Sequence, residues 1–266
     1  MMTKTYLKFI LTASIISISG YVQSQTVTVD HYFNSETKLG ADGQTQPFHY
    51  LWNDTEMTGF SILGTYFKNN GAKELNVLFQ KPTAETLAPS DVYIIVDPDN
   101  LKDNPKPNYM NPEDANAIAA WVKRGGVLLL LANDKANADL EHFNTLAEKF
   151  GFKFNNDLIL HVVDDAHFEE GAINIKSNQI FKTSKKIFIK DASSISISHT
   201  AKPILKTTKG EVAMVISQYG KGTVLAIGDP WLYNEYTNGR LPQSFENNKA
   251  ADDLSKFMLK QIKTRH

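Results

Sequence analysis

Short apolar runs alternate with amphipathic ones along most of this chain. Val127 to Leu131 is apolar at every position, the mark of a central parallel strand covered on both faces. Asp91 to Val96 is nearly as apolar, Glu74 to Phe79 is shorter, and both read as strands. Between them and around them the period changes to that of a helix. Phe60, Leu63 and Phe67 share one face, the pattern stops near Asn70-Gly71, and Asn53, Asp54 and Thr55 offer capping side chains ahead of it. Asn111-Pro112-Glu113-Asp114 is a clear helix start, with a capping side chain, proline in the first turn and acids beside the positive end of the dipole. Ile118, Ala119 and Val122 then face inward, and Lys123-Arg124-Gly125-Gly126 closes the helix. Leu140, Phe143, Ala147 and Phe150 make a further helical face with Gly151 as its stop, and a last helix buries Leu254, Phe257, Met258 and Ile262. Strands alternating with helices predict βαβ units, a parallel sheet and helices on its faces.

The remaining segments adjust that picture. Thr26 to Phe33 starts with β-branched alternation and ends in polar aromatics, as a strand running into a site does. Ser35 to Gln46 reads as a loop. From Phe154 the pattern breaks into shorter β-like pieces, including Lys186 to Ile189 and Ile195 to Ser198, followed by strands at Pro203 to Lys206 and Glu211 to Ser217. Gln218-Tyr219-Gly220-Lys221-Gly222 turns the chain back into a buried strand ending at Ile227. The expectation is one α/β domain over residues 25–266, with a β-rich insertion at about 154–217. Residues 1–24 read as a secretory signal peptide: Lys4 and Lys8, an apolar run from Phe9 to Ile18, then small and polar residues. Its removal moves the formal charge from −1 to −3, a surface with no general attraction for nucleic acid or anionic lipid. Cysteine is absent, which excludes disulfides, thiolate metal sites, a cysteine nucleophile and a lipidated cysteine. A periplasmic protein without a membrane anchor is expected.

Candidate chemistry gathers where strands end. Ligands of an open parallel sheet bind beyond the carboxyl ends of its strands. Those ends supply His31 and Asn34, Asp97 and Asp99, Asn133, Asp134 and Lys135, and Asp229 and Trp231, with His49, Tyr50 and Trp52 on the loop after the first strand. The stretch Gly228 to Arg240 (GDPWLYNEYTNGR) is too rich in aromatic and ionic groups for a mere connector. Aromatic faces beside amides, carboxylates and a guanidinium suit a sugar; the plainer reading is a packed surface loop whose aromatics cover a core edge. Arg240 alone among three arginines has no visible structural reason, and reads as a clamp on a carboxylate or sulfate, or as an ion pair with Glu235 or Glu246. His49 precedes a helix start and is the first candidate base, with His31 second; His142 and His161 read as structural. There is no G-x-S-x-G elbow, dinucleotide fingerprint, P-loop or H-E-x-x-H motif. Asp97-Pro98-Asp99 and Asp164-Asp165 have the chemistry for a hard cation, but paired acids at strand ends are more often solvated turns, so neither metal nor cofactor is expected.

DHYFN (30–34), FHYLW (48–52), DVYIIVDPD (91–99), GGVLLLLAND (125–134), HFN (142–144) and GDPWLYNEYTNGR occur in an order and spacing that resemble a Bacteroidetes family of secreted proteins from polysaccharide-utilisation systems. Their domain is class I glutamine-amidotransferase-like, that is flavodoxin-like, and the likeness covers nearly the whole mature chain. Without a cysteine this sequence cannot hydrolyse glutamine through a thiolate. Within the group, the chain resembles the oligosaccharide dehydratases of ulvan degradation. That resemblance implies removal of water from a non-reducing-end uronic acid, leaving a 4,5-unsaturated sugar.

Such a reaction needs a base for the C5 proton, an acid for the departing C4 hydroxyl, and stabilisation of enolate-like charge. On this reading His49 or His31 is the base, Tyr236 or Tyr233 the acid, and Arg240 with Asn133 holds the carboxylate. Trp52 and Trp231 stack on the ring, Asp134 and Asp229 orient hydroxyls or the histidine, and Tyr50 lines the site. Two other readings stay open: a non-catalytic sugar-binding domain, and a metal-dependent glycan hydrolase or esterase using Asp97, Asp99 or Asp134.

Overall fold

A computed structural model describes residues 25–262. The expected signal peptide lies outside the described residues, as do Arg265 and His266. The chain starts with β1 (Thr26–Asp30), then a small hairpin of β2 (Thr37–Leu39) and β3 (Thr45–Pro47), where a loop was expected. Helix α1 (Ser61–Asn69), β4 (Glu74–Leu78), β5 (Val92–Val96), α2 (Pro112–Lys123) and β6 (Val127–Leu131) follow, and then α3 (Leu140–Ala147). Four short strands come next, β7 (Phe152–Phe154), β8 (Ala172–Asn174), β9 (Lys186–Phe188) and β10 (Ile195–Ile197), pairing as β7 with β10 and β8 with β9. The chain ends with β11 (Lys202–Lys206), β12 (Val212–Tyr219), β13 (Gly222–Ile227), the single turn α4 (Asn234–Thr237) and α5 (Asn247–Gln261).

The central sheet has the order β11-β12-β13-β6-β5-β1-β4. From β13 to β4 the neighbours are parallel, while β11 and β12 add antiparallel to the β13 edge. The protein is therefore mixed α/β, with a mostly parallel sheet flanked by helices. The expected insertion is shorter than 154–217, because β11 and most of β12 belong to this sheet. The stretch between α3 and β11 stands apart from it, as does the β2–β3 hairpin.

Alternation of side chains across the pleat builds two cores. Leu129 and Leu131 join Val27, Ile94, Leu225 and Ile227 against α1 and α5, whose Leu63, Phe67, Leu254 and Met258 are fully buried. Leu128 and Leu130 join Tyr93, Ile95 and Val224 against α2 and α3, through Ile118, Val122, Phe143 and Leu146. Each such side chain contributes roughly 1.5–3 kcal/mol, so the all-apolar β6 is fixed from both faces. Asn111 caps α2 with a reciprocal capping box, as its sequence predicts. Helix α1 differs. Its amide at Ile62 is capped by the distant Asn234 Oδ1 at 3.0 Å, while Asp54 closes its own turn by accepting from Glu56 N and Thr58 Oγ1.

Candidate functional site

Three neighbouring parallel strands, β5, β6 and β13, deliver Asp97, Asn133 and Asp229 to one edge. Two further segments close over that edge. The loop Phe48 to Thr58 brings His49, and the stretch after β13 brings Tyr233, Glu235 and Tyr236. Together with Thr58, Asn137, Lys190 and Asp191 they line a cavity of about 230 Å³. Asn234 ties the two segments together, since its amide nitrogen donates to Asp54 O, Glu56 O and Ser61 Oγ while its oxygen caps α1.

The backbone here is unusual. Among the described residues six non-glycines have positive φ. His49 (69°), Tyr50 (56°), Asp97 (33°) and Asp191 (50°) are at the cavity or directly behind it, and Leu160 (53°) accepts a hydrogen bond from Asp191 N. Such conformations cost of order 1–3 kcal/mol each. They persist because the surrounding bonds over-determine them: Tyr50 N donates to Thr58 O, Asp97 N to Leu131 O, and Asp134 N to Asp191 O.

Two hydrogen-bonded systems meet at the cavity. In the first, His49 Nδ1 lies 2.7 Å from Glu36 Oε1, with the imidazole stacked on Phe48 at 4.2 Å. Pairing a carboxylate with Nδ1 places a proton on that nitrogen, so in the neutral tautomer Nε2 carries the lone pair. In the second, Tyr233 hydroxyl bonds to Tyr50 hydroxyl, which donates to Asp97 Oδ2 at 2.6 Å. Asp97 also accepts from Asn133 N at 2.7 Å and Asn133 Nδ2 at 3.2 Å. Burial raises the Asp97 carboxyl to about 7 despite these donors, and raises both tyrosines well above the usual phenol range. Asp229, held by Lys190 N at 2.7 Å, is also pushed well up by burial, with the charges of Asp97 and Asp191 adding to it. His49 and Tyr233 rings stand 6.5 Å apart, centroid to centroid. The Tyr236 hydroxyl makes no hydrogen bond among the described residues, and its ring is half-buried.

Of the residues expected from sequence, His49, Tyr233, Tyr236, Asn133 and Asp229 line this cavity, and Tyr50 lies buried behind Tyr233. The others do not. Trp231 is fully buried in the core beside Phe181, so it offers no stacking face. Trp52 donates Nε1 to Asn76 O at 2.8 Å, packs on Phe60 and Phe67, and lines a separate groove with Phe79 and Lys38. Asp134 spends both oxygens on a turn, accepting from Ala136 N at 2.7 Å and Asn137 Nδ2 at 2.8 Å. His31 is buried edge-on to Phe79 at 5.1 Å, and burial lowers its basicity. Arg240 is the ion pair that was the plainer alternative: it grips Asp165 through Nε (3.1 Å) and Nη2 (2.6 Å), and also pairs with Glu235. Asp99, named for a metal, is committed to Ser35 and Asn104. Among the described residues no three His, Asp or Glu side chains converge as a metal site.

Glu36, Lys190 and Asp191 were not singled out. Lys190 and Asp191 directly follow the strand read at Lys186 to Ile189, but that strand pairs antiparallel with β8 outside the central sheet, so the strand-end rule did not reach them. Glu36 sits in a polar loop with no local signal.

No family model and no curated protein matches the chain. Among solved structures it is similar to the mmIFT52 N-terminal domain, at 14% identity over 85% of this chain and 93% of that one, with a TM-score of 0.62. It is also similar to cytoplasmic protein STM1381 from Salmonella typhimurium LT2, at 16% identity over 90% of this chain and 100% of that one, TM-score 0.57. At this identity the likeness defines the fold alone. Among the described residues no helix is long and apolar enough to cross a membrane.

Proposed function

We propose that the chain is a carbohydrate-active dehydratase on a flavodoxin-like scaffold, acting on the non-reducing-end uronic acid of an ulvan-type oligosaccharide. The scaffold reading is supported by the parallel strands, which in chain order lie 2-1-3-4-5 across the sheet. The observation that carries the chemical reading is the meeting, in one cavity, of an imidazole base held by a carboxylate and a phenol linked to a buried carboxyl.

His49 Nε2 takes the C5 proton, and Glu36 steadies the imidazolium that forms. Lys190 takes the place once assigned to Arg240: it is the cation on the cavity wall, only loosely paired with Asp191 at 3.8 Å, and it offsets charge building on the uronate. Tyr233 protonates the leaving C4 hydroxyl and is refilled through Tyr50 from Asp97, whose protonated form donates to the Tyr50 oxygen in the reverse of the hydrogen bond seen in the structure. A carboxyl near 7 can be protonated at neutral pH, which an ordinary aspartate is not. The free Tyr236 hydroxyl positions the ring. Water leaves, and a C4=C5 double bond remains conjugated with the carboxylate.

The test is direct. Purified protein is given oligosaccharides with saturated uronic ends while enol-ether absorbance and product mass are followed. New absorbance with loss of one water supports the reading; release of a free sugar or acid without unsaturation contradicts it.

A further inference from the structure

The two outer strands of the central sheet are guarded unequally. β11 closes one side with Lys202, Pro203 and Lys206, and its register with β12 shifts twice, between Pro203 and Leu205 and between Leu205 and Lys206. Proline, lysine and bulges are the devices that stop an outer strand from pairing further. β4, on the other side, reads ELNVL and keeps unbroken register with β1 from Glu74 to Leu78. It has no proline, no lysine and no bulge.

The hydrogen-bond parity of β4 shows what this leaves open. Glu74 N donates to Gln25 O, and Leu78 O accepts from His31 N, so the even-numbered residues turn their backbone groups toward β1. The N–H and C=O groups of Leu75 and Val77 therefore point away from the sheet, where no further strand lies among the described residues. Both side chains are only half-buried, and with Trp52 and Phe79 they line the groove of about 710 Å³ beside the β2–β3 hairpin. Phe79 is 49% exposed.

We propose that β4 pairs antiparallel with β4 of a second copy of this chain, about a two-fold axis at Asn76. The strand is complementary to itself in that register. Leu75 comes opposite the partner's Val77, the two residues exchange both of their outward hydrogen bonds, and the symmetry repeats the pair. Lys73 comes opposite the partner's Phe79, an ammonium beside an exposed ring, and Glu74 opposite the partner's Leu78, so no like charges face each other. One strand pair with its flanking apolar row is a small interface, so the association depends on concentration. It is independent of the chemistry at His49.

The experiment measures the mass of the full chain in solution by sedimentation equilibrium over a range of concentrations, beside its V77P variant. Val77 N–H takes no part in the ladder to β1, so V77P is expected to fold and to stay a monomer where the parent becomes a dimer. Cross-linking decides the matter should V77P unfold. The chain has no cysteine, so N76C introduces a single thiol at the two-fold axis. Its Cα atoms would stand about 4.5 Å apart across the pair, within reach of a disulfide. Under mild oxidation N76C is expected to form the covalent dimer at least about tenfold faster than K206C, which puts the thiol on the guarded strand. A monomer at every concentration, a dimer that survives V77P, or cross-linking no faster from position 76 than from position 206 would overturn the proposal.

Discussion

The two ends of the central sheet solve the same backbone problem with different residues. At the amino end, where β6 and β13 begin, the positive-φ positions are Gly125 (118°) and Gly220 (60°), for which such angles carry no penalty. At the carboxyl end the same region of conformational space holds His49, Tyr50, Asp97 and Asp191, where each side chain adds a cost. A glycine there would be easier on the fold but would carry no imidazole, phenol or carboxyl. Four of the six positive-φ non-glycines among the described residues gather at the carboxyl end on chemistry-bearing side chains, which marks that end as the working one.

The sharpest way to break this comparison is to exchange the costs. His49→Gly is expected to lower turnover by about 10²–10⁴-fold, the worth of a general base, while stability stays level or rises. Gly125→Ala, which meets nothing closer than Lys221 Cβ at 3.8 Å, is expected to lower stability by about 1–2 kcal/mol with kcat unchanged. Chemical denaturation and turnover on the same samples check both. Tyr233→Phe removes the hydroxyl that meets Tyr50 and is expected to lower kcat by about 10²-fold with KM nearly unchanged.

Asn234→Ala tests the tie between the two loops of the working end. Its loss leaves the Ile62 amide uncapped and the Asp54 carbonyl without its donor, an expected cost of about 1–3 kcal/mol together with a weaker KM. The pH profile sharpens the picture further. Asp97 must hold a proton to refill Tyr233, so kcat should fall as pH rises through about 7, and Asp97→Asn should abolish that limb. The same group affects the fold. Its folded value lies above the ordinary carboxylate range, so its contribution is complete below that range and is lost as pH rises to about 7. Asp30, also raised by burial to about 7 but bonded only to Tyr93 and three backbone amides, adds to that stability window without touching the kinetic limb. The smallest effect is expected at the rim: Arg240→Gln should cost under about 1 kcal/mol in stability, because its ion pairs are partly exposed.

Much of the scaffold was legible because burial writes itself into short patterns. Val127 to Leu131 has no polar position for solvent, and Asn111-Pro112 carries its own cap, so β6 and α2 follow from local residues. The cap of α1 was not legible, since Asn234, at the start of α4, is 172 positions away. The site was legible in the same measure. Strand ends gave Asn133 and Asp229, and aromatic enrichment gave Tyr233 and Tyr236. That same enrichment misled at Trp231, because a loop aromatic looks alike in sequence whether it faces solvent or core. Arg240 misled because its partner Asp165 lies in the irregular stretch between α3 and β11, which no periodicity could place.

The central claim is that the strained rim brings His49 to the C5 proton of a uronic acid. Proton NMR of a saturated, uronic-terminated disaccharide incubated with the wild-type chain and with His49→Gln tests it most directly. The account predicts a new olefinic C4 proton with the wild type and none with the variant. No olefinic signal from the wild type, or the same signal from both proteins, would contradict it.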